Sequence, residues 1–147
     1  MYHQEKAKYE DKTDCTKNKV LIYNSNVVFD RNGQVVVCYR KYHLYGKKGI
    51  HITEKSEISI FISDFNVKFG NFICFDIIFE TPALILTKNF NVSDILHPLD
   101  WNAFSPYYFA NIFQATWFYA NNVNLLSSRN NNPKFGSEDT LNNKFLS

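Results

Sequence analysis

Cys74 closes the apolar run Phe69-Gly70-Asn71-Phe72-Ile73-Cys74 and is followed by Phe75 and Asp76. A thiol carried to the carboxyl end of a buried strand, just ahead of a helix, opens onto the crevice where α/β proteins gather ligands. Its thiolate is a nucleophile, and an ammonium close by favours that form. Lys41 stands at the end of another strand-like run, where its ammonium reaches the same edge. There it also suits the oxyanion of a tetrahedral intermediate, with the backbone N–H of Phe75 as a second donor. The pair points to acyl transfer onto sulfur. Spacing alone also fits a core cysteine and a solvated strand-end lysine.

The surrounding elements read as strands first, then alternating strands and helices. Val20 to Phe29 and Gln34 to Arg40 are β-rich runs joined by Asp30-Arg31-Asn32-Gly33, which predicts a hairpin turn with Asn-Gly at its centre. Lys41 to Ser56 is a polar connection. Ile58 to Ser63 and Val67 to Cys74 are further strands, the second apolar enough at its end to be covered on both faces. Pro82 near the start of Glu80 to Phe90 predicts a short helix, and Ser93 to His97 the next strand.

Ser105 to Asn121 reads as a longer helix, with Ser105 as N-cap, Pro106 as first residue, and Phe109, Ile112, Phe113, Thr116, Trp117 and Ala120 at helical spacing. Val123 to Ser127 is a final buried strand. This order predicts a layered α/β fold with a mixed sheet and helices on one face. Residues 1–19 form a polar N-terminal segment, 20–128 the domain, and 129–147 a loose Asn-rich tail.

At 147 residues and 45 % hydrophobic content, the chain is one foldable domain. A net charge of +2, with basic residues scattered among acids, argues against nucleic-acid binding. No run is apolar long enough to span a bilayer, and the charged start at Met1 to Lys19 is not a signal peptide. The three cysteines cannot close a disulfide framework by themselves. Cys38, inside Val35-Val36-Val37-Cys38-Tyr39, reads as a small buried hydrophobe, and Cys15 as an exposed thiol or half of a pair completed elsewhere. Asn91-Val92-Ser93 is a glycosylation triplet, usable in a secretory setting.

Four segments, in order, resemble the nitrilase (carbon–nitrogen hydrolase) superfamily, and within it the vanin and biotinidase branch. Tyr23-Asn24-Ser25-Asn26-Val27-Val28-Phe29-Asp30 resembles its entry to the hairpin, and Tyr39-Arg40-Lys41-Tyr42-His43-Leu44-Tyr45 its catalytic-lysine motif. Phe69 to Phe79 resembles the nucleophile motif, which in its general form ends in Glu, here Glu80. Asp94 to Trp101 resembles the strand and loop that follow. The resemblance implies an α-β-β-α sandwich, incomplete at both ends, that hydrolyses linear amides such as pantetheine or biotinyl amides through a cysteine thioester. Cys74 would be the nucleophile, Lys41 and the Phe75 N–H the oxyanion donors, and Glu54 an acid that orients the site. Trp101 and Asn102 would lie at the pocket rim, and His43 is a structural member of its motif. Glu54 also reads as an exposed loop acid, and Trp101 and Asn102 as loop packing.

The resemblance further implies a small-molecule amide substrate, no metal or organic cofactor, secretion or surface anchoring, and self-association as some members show. It lacks one part. The superfamily's general-base glutamate belongs ahead of the hairpin, and neither Glu5 nor Glu10 sits in the expected setting. Cys15 falls where relatives carry disulfide cysteines. These departures predict a central piece of a longer protein, with little amidase activity in this chain itself. The other reading is a non-catalytic secreted relative that binds a ligand or partner in the same crevice.

Overall fold

The structure, a computed structural model, describes residues 2–6, 20–46, 48–101 and 110–128. Strands β1 (Tyr2–Lys6), β2 (Val20–Phe29) and β3 (Val35–Arg40) form an antiparallel sheet in that order. β1 lies within the segment read as a polar lead-in, with Glu5 opposite Leu21. The β2–β3 connection is wider than a two-residue hairpin. Asp30 closes it, its Oδ1 accepting from the N–H groups of Asn32 and Gln34 at 2.8 Å each, and Gly33 takes the positive φ of +81°.

The second sheet is mixed: β4 (Ser59–Ile62) runs antiparallel to β5 (Lys68–Asn71), and β5, β6 (Asp94–Pro98) and β7 (Asn124–Ser128) run parallel. Parallel neighbours need crossovers. The first contains a 3₁₀ turn at Cys74–Ile78, a wide helical turn at Glu80–Leu84 and α1 (Ile85–Lys88); the second contains α2 (Ala110–Asn121). The regular part of the expected 80–90 helix is thus shorter, because Thr81 is extended (φ −108°, ψ 128°). The proposed cap at Ser105 and Phe109 lie outside the described residues.

One core joins the layers. Phe72, Ile73, Ile77, Ala83, Leu86, Val92, Ile95 and Leu125 pack with Trp117 and Phe118 of α2, and Tyr39 of the first sheet reaches the same cluster. Gly70 permits the close approach of α1 to β5, since a Cβ there would lie 2.9 Å from Ile95 Cδ1 and 3.3 Å from Leu86 Cδ1.

Two burial expectations are corrected. Cys38 is exposed rather than buried. The run Val35 to Cys38 lies on a strand paired on one side to β2, and alternation sends Tyr39 inward and Cys38 outward. On α2 the buried face is Gln114, Trp117 and Phe118, while Ile112, Phe113, Thr116 and Ala120 are exposed. That helix is apolar around most of its circumference, so spacing alone does not choose the face.

Candidate active site

β5 runs Gly70-Asn71 into Phe72-Ile73, and the chain then turns sharply at Cys74, whose φ is +49°. A left-handed non-glycine residue costs about 1–3 kcal/mol and persists only where its surroundings hold it. Those surroundings are polar groups reaching in from three strands. Asp76, two residues on and fully buried, accepts at Oδ2 from the Ile73 N–H (3.1 Å) and the Tyr39 hydroxyl (2.8 Å), and at Oδ1 from the His43 N–H (3.2 Å). Burial raises its carboxyl above the usual carboxylate range, against the pull of the Tyr39 hydrogen bond, the backbone donors and the Lys41 charge. Burial also pushes the Tyr39 hydroxyl far up, and the adjacent Asp76 charge adds to this. Tyr39 therefore stays a donor, and the three donors aimed at Asp76 make that carboxyl the acceptor.

The same bonds place Lys41. It follows β3 directly, its N–H donating to the Asn24 carbonyl at 2.8 Å, and it lies between Tyr39 and His43, both bound to Asp76. His43 adds a second tie, its Nε2–H donating to the Thr81 carbonyl at 2.7 Å while its ring stacks on Phe79 at 3.6 Å. Lys41 is only 4 % exposed, so it is not a solvated strand end. Its charge acts on Asp76 and on His97, whose ring in turn meets the Cys74 carbonyl. Lys41 and the Cys74 turn thus share one buried polar cluster, and Cys74 itself keeps partial exposure.

His97 on β6 is fully buried. Its Nε2–H donates to the Cys74 carbonyl at 3.0 Å, and its Nδ1 accepts from the Ser127 hydroxyl at 3.1 Å. Burial pushes its pKa down to about 4, with the Lys41 charge acting in the same direction, so the ring is neutral. Phe75 turns its side chain to an aromatic rim of Tyr45 (5.2 Å between centroids), Phe79 (5.5 Å) and Trp101 (6.4 Å). Trp101 also packs at 5.6 Å from Phe113 of α2.

The structure therefore brings together Cys74, Phe75 and Trp101, with Lys41 buried and within electrostatic reach of Asp76 and His97 beside them. It leaves Glu54 exposed on a bend, and Asn102 lies outside the described residues. The acid that engages the lysine strand is instead Glu57, which binds Arg40 through Nε at 2.9 Å and through its N–H at 2.9 Å. Sequence reasoning did not assign Asp76, His97 or Tyr39. Their signal is an ionisable or hydroxyl group inside an apolar run, which burial tolerates only when hydrogen-bonded. Among the described residues no group of three or more His, Cys, Asp or Glu is arranged to hold a metal ion.

The sequence profile of the carbon–nitrogen hydrolase family matches residues 4–90, more than half of the chain. Vanin-like protein 1 of Drosophila melanogaster is 44 % identical over 128 residues, covering 87 % of this chain and 23 % of that protein. Human biotinidase is 32 % identical over 122 residues, covering 83 % of this chain and 22 % of that protein. This chain thus spans about a quarter or less of these relatives' length. Among solved structures, Saccharomyces cerevisiae Nit3, a member of branch 10 of the nitrilase superfamily, superposes with a TM-score of 0.64 at 21 % identity, covering 82 % of this chain and 43 % of that one. The amidase from Nesterenkonia sp. AN1, seen with acrylamide added to its active-site cysteine, superposes with a TM-score of 0.60 at 16 % identity, covering 75 % and 42 %. The two-sheet mixed α/β architecture and the profile match agree: the chain belongs to the carbon–nitrogen hydrolase family.

Proposed function

We propose that this chain carries the nucleophile half of a vanin-like amidase that cleaves small linear amides, pantetheine or a biotinyl amide, through a thioester on Cys74. The observation that supports this most is the Cys74 turn itself. A partly exposed thiol sits on a left-handed residue, and the buried Lys41 ammonium acts through its charge on Asp76 of the same turn. In the proposed reaction the Cys74 sulfur attacks the amide carbonyl carbon. A C–S bond forms, and the carbonyl electron pair moves onto oxygen, which the Lys41 ammonium and the Phe75 N–H hold. Collapse breaks the C–N bond, the amine leaves with a proton, and water then releases the acid and restores the thiol. The aromatic rim of Tyr45, Phe79 and Trp101 suits the apolar stretch of such a substrate.

The proton transfers need a carboxylate within reach of substrate, and Asp76 is fully buried and already committed to three structural donors. Of the glutamates between residues 20 and 128, Glu57 binds Arg40, and Glu54 and Glu80 are exposed. Loss of general acid–base catalysis costs ~10²–10⁴-fold, so the 147-residue chain alone turns over little amide while the protein it belongs to turns it over readily. Secretion or surface attachment is the setting we infer, and the exposed Asn91 of the Asn91-Val92-Ser93 triplet is its glycan acceptor. No described helix is long and apolar enough to cross a membrane.

Pantetheine supplied to the protein as its source makes it tests the reading. Cysteamine release that is lost in Cys74→Ala and cut ~10²-fold or more in Lys41→Met is expected. Ligand binding without any cysteamine release would instead favour a non-catalytic relative.

A further inference from the structure

We propose that His97 is a positioning residue that aims the Phe75 N–H at the substrate's carbonyl oxygen, by holding the Cys74 carbonyl of the same peptide unit. The inference rests on the assignment of Cys74 as the nucleophile. A trans peptide unit is planar, with its C=O and N–H on opposite sides. Whatever fixes the Cys74 carbonyl therefore fixes the Phe75 N–H in the opposite direction. His97 Nε2 lies 3.0 Å from that carbonyl oxygen, and a carbonyl only accepts, so Nε2 carries the proton. The neutral ring then has an acceptor at Nδ1, and the Ser127 hydroxyl donates to it at 3.1 Å.

The ring has no freedom to swing. It is fully buried and packs against Phe72 with centroids 5.0 Å apart. Through it, β7 (Ser127), β6 (His97) and the Cys74 turn form one hydrogen-bonded line. Among the described residues the Phe75 N–H meets no acceptor of its own, as a donor kept for an incoming oxygen must. The left-handed conformation of Cys74 needs such an external hold, and the His97 bond supplies it on the carbonyl side of the residue. On the preceding side, Asp76 holds the Ile73 N–H. Preorganisation of this kind matters where charge develops in the transition state, and much less where it does not.

That distinction provides the test, in this chain with Cys15 and Cys38 replaced by Ser. Acylation by p-nitrophenyl acetate passes through an oxyanion and expels a leaving group that needs no proton. Alkylation by iodoacetamide is a displacement with no oxyanion. His97→Phe, which removes the donor, is expected to slow the p-nitrophenolate burst from Cys74 ~10–10²-fold while alkylation stays within about twofold. His97→Gln, whose side-chain amide can donate from the Nε2 position, is expected to keep the burst within about threefold. Ser127→Ala, which frees Nδ1 but leaves the Nε2 donor, should fall between the two.

A His97→Phe protein with an unchanged burst would overturn the inference, as would equal loss of burst and alkylation in the Phe and Gln variants. Parent-chain Cys74 that reacts no faster than a free thiol in either assay would instead remove the nucleophile assignment beneath it.

Discussion

Replacing Asp76 with alanine removes the acceptor for three buried donors at once: the Tyr39 hydroxyl and the N–H groups of Ile73 and His43. Each buried donor left without a partner costs about 1–3 kcal/mol. Against this stands the relief of a buried carboxylate whose burial already raises its pKa, and water entering the small cavity recovers part of the rest. A net loss of about 3–5 kcal/mol follows, in the range found when one partner of a buried polar network is removed. For a domain of this size that lowers Tm by roughly 10–15 °C. Urea unfolding followed by the fluorescence of buried Trp117 measures it, with the midpoint shifted and the slope unchanged. Asp76→Asn keeps the shape and one acceptor oxygen, so its loss should be about half or less. Tyr39→Phe removes a single bond and should cost about 1–2 kcal/mol. An Asp76→Ala loss below about 1 kcal/mol would refute the picture of Asp76 as the knot between the Lys41 strand and the Cys74 turn.

Three further outcomes follow from the same cluster and its supports. His97 has a folded pKa of about 4 against 6.5 in the unfolded chain, so the unfolded chain takes the proton first as pH falls. Its contribution is complete above about pH 6.5 and is lost progressively toward about pH 4, by up to about 3 kcal/mol. The raised Asp76 carboxyl acts in the opposite sense at the acid end, so the measurement is the difference in stability–pH slope between the parent chain and His97→Gln. Gly70→Ala forces a Cβ to within 2.9 Å of Ile95 and should destabilise by about 1–3 kcal/mol in urea unfolding. Produced behind a secretory leader, the chain should carry a glycosidase-sensitive mass increment at the exposed Asn91 that Asn91→Gln abolishes.

Much of this arrangement was legible in the residues. The run ending at Cys74 and the Lys41 strand end are local patterns, and strand alternation with turn residues suffices to place them at element ends. The residues that make them a site were not legible in the same way. Asp76 works because Tyr39 and His43 arrive from another sheet, and His97 because Ser127 lies beside it on β7. Such partners are separated by 30 residues or more and follow from strand register, which no local spacing contains. Cys38 failed for a related reason. Four apolar residues in a row look buried, but β3 pairs with β2 and its outward side is left uncovered. On α2 the buried face was set by what the sheet offers, Leu125 and Phe72, rather than by the helix's own pattern.

The central claim is that amide carbonyls are transferred to Cys74. Acid-quenching the protein, in the form its source makes, during turnover of pantetheine and mapping the peptides by mass spectrometry tests it directly. A pantothenoyl thioester on the peptide that contains Cys74, absent from Cys74→Ala together with turnover, is the expected result. Cysteamine release that persists in Cys74→Ala would contradict the account.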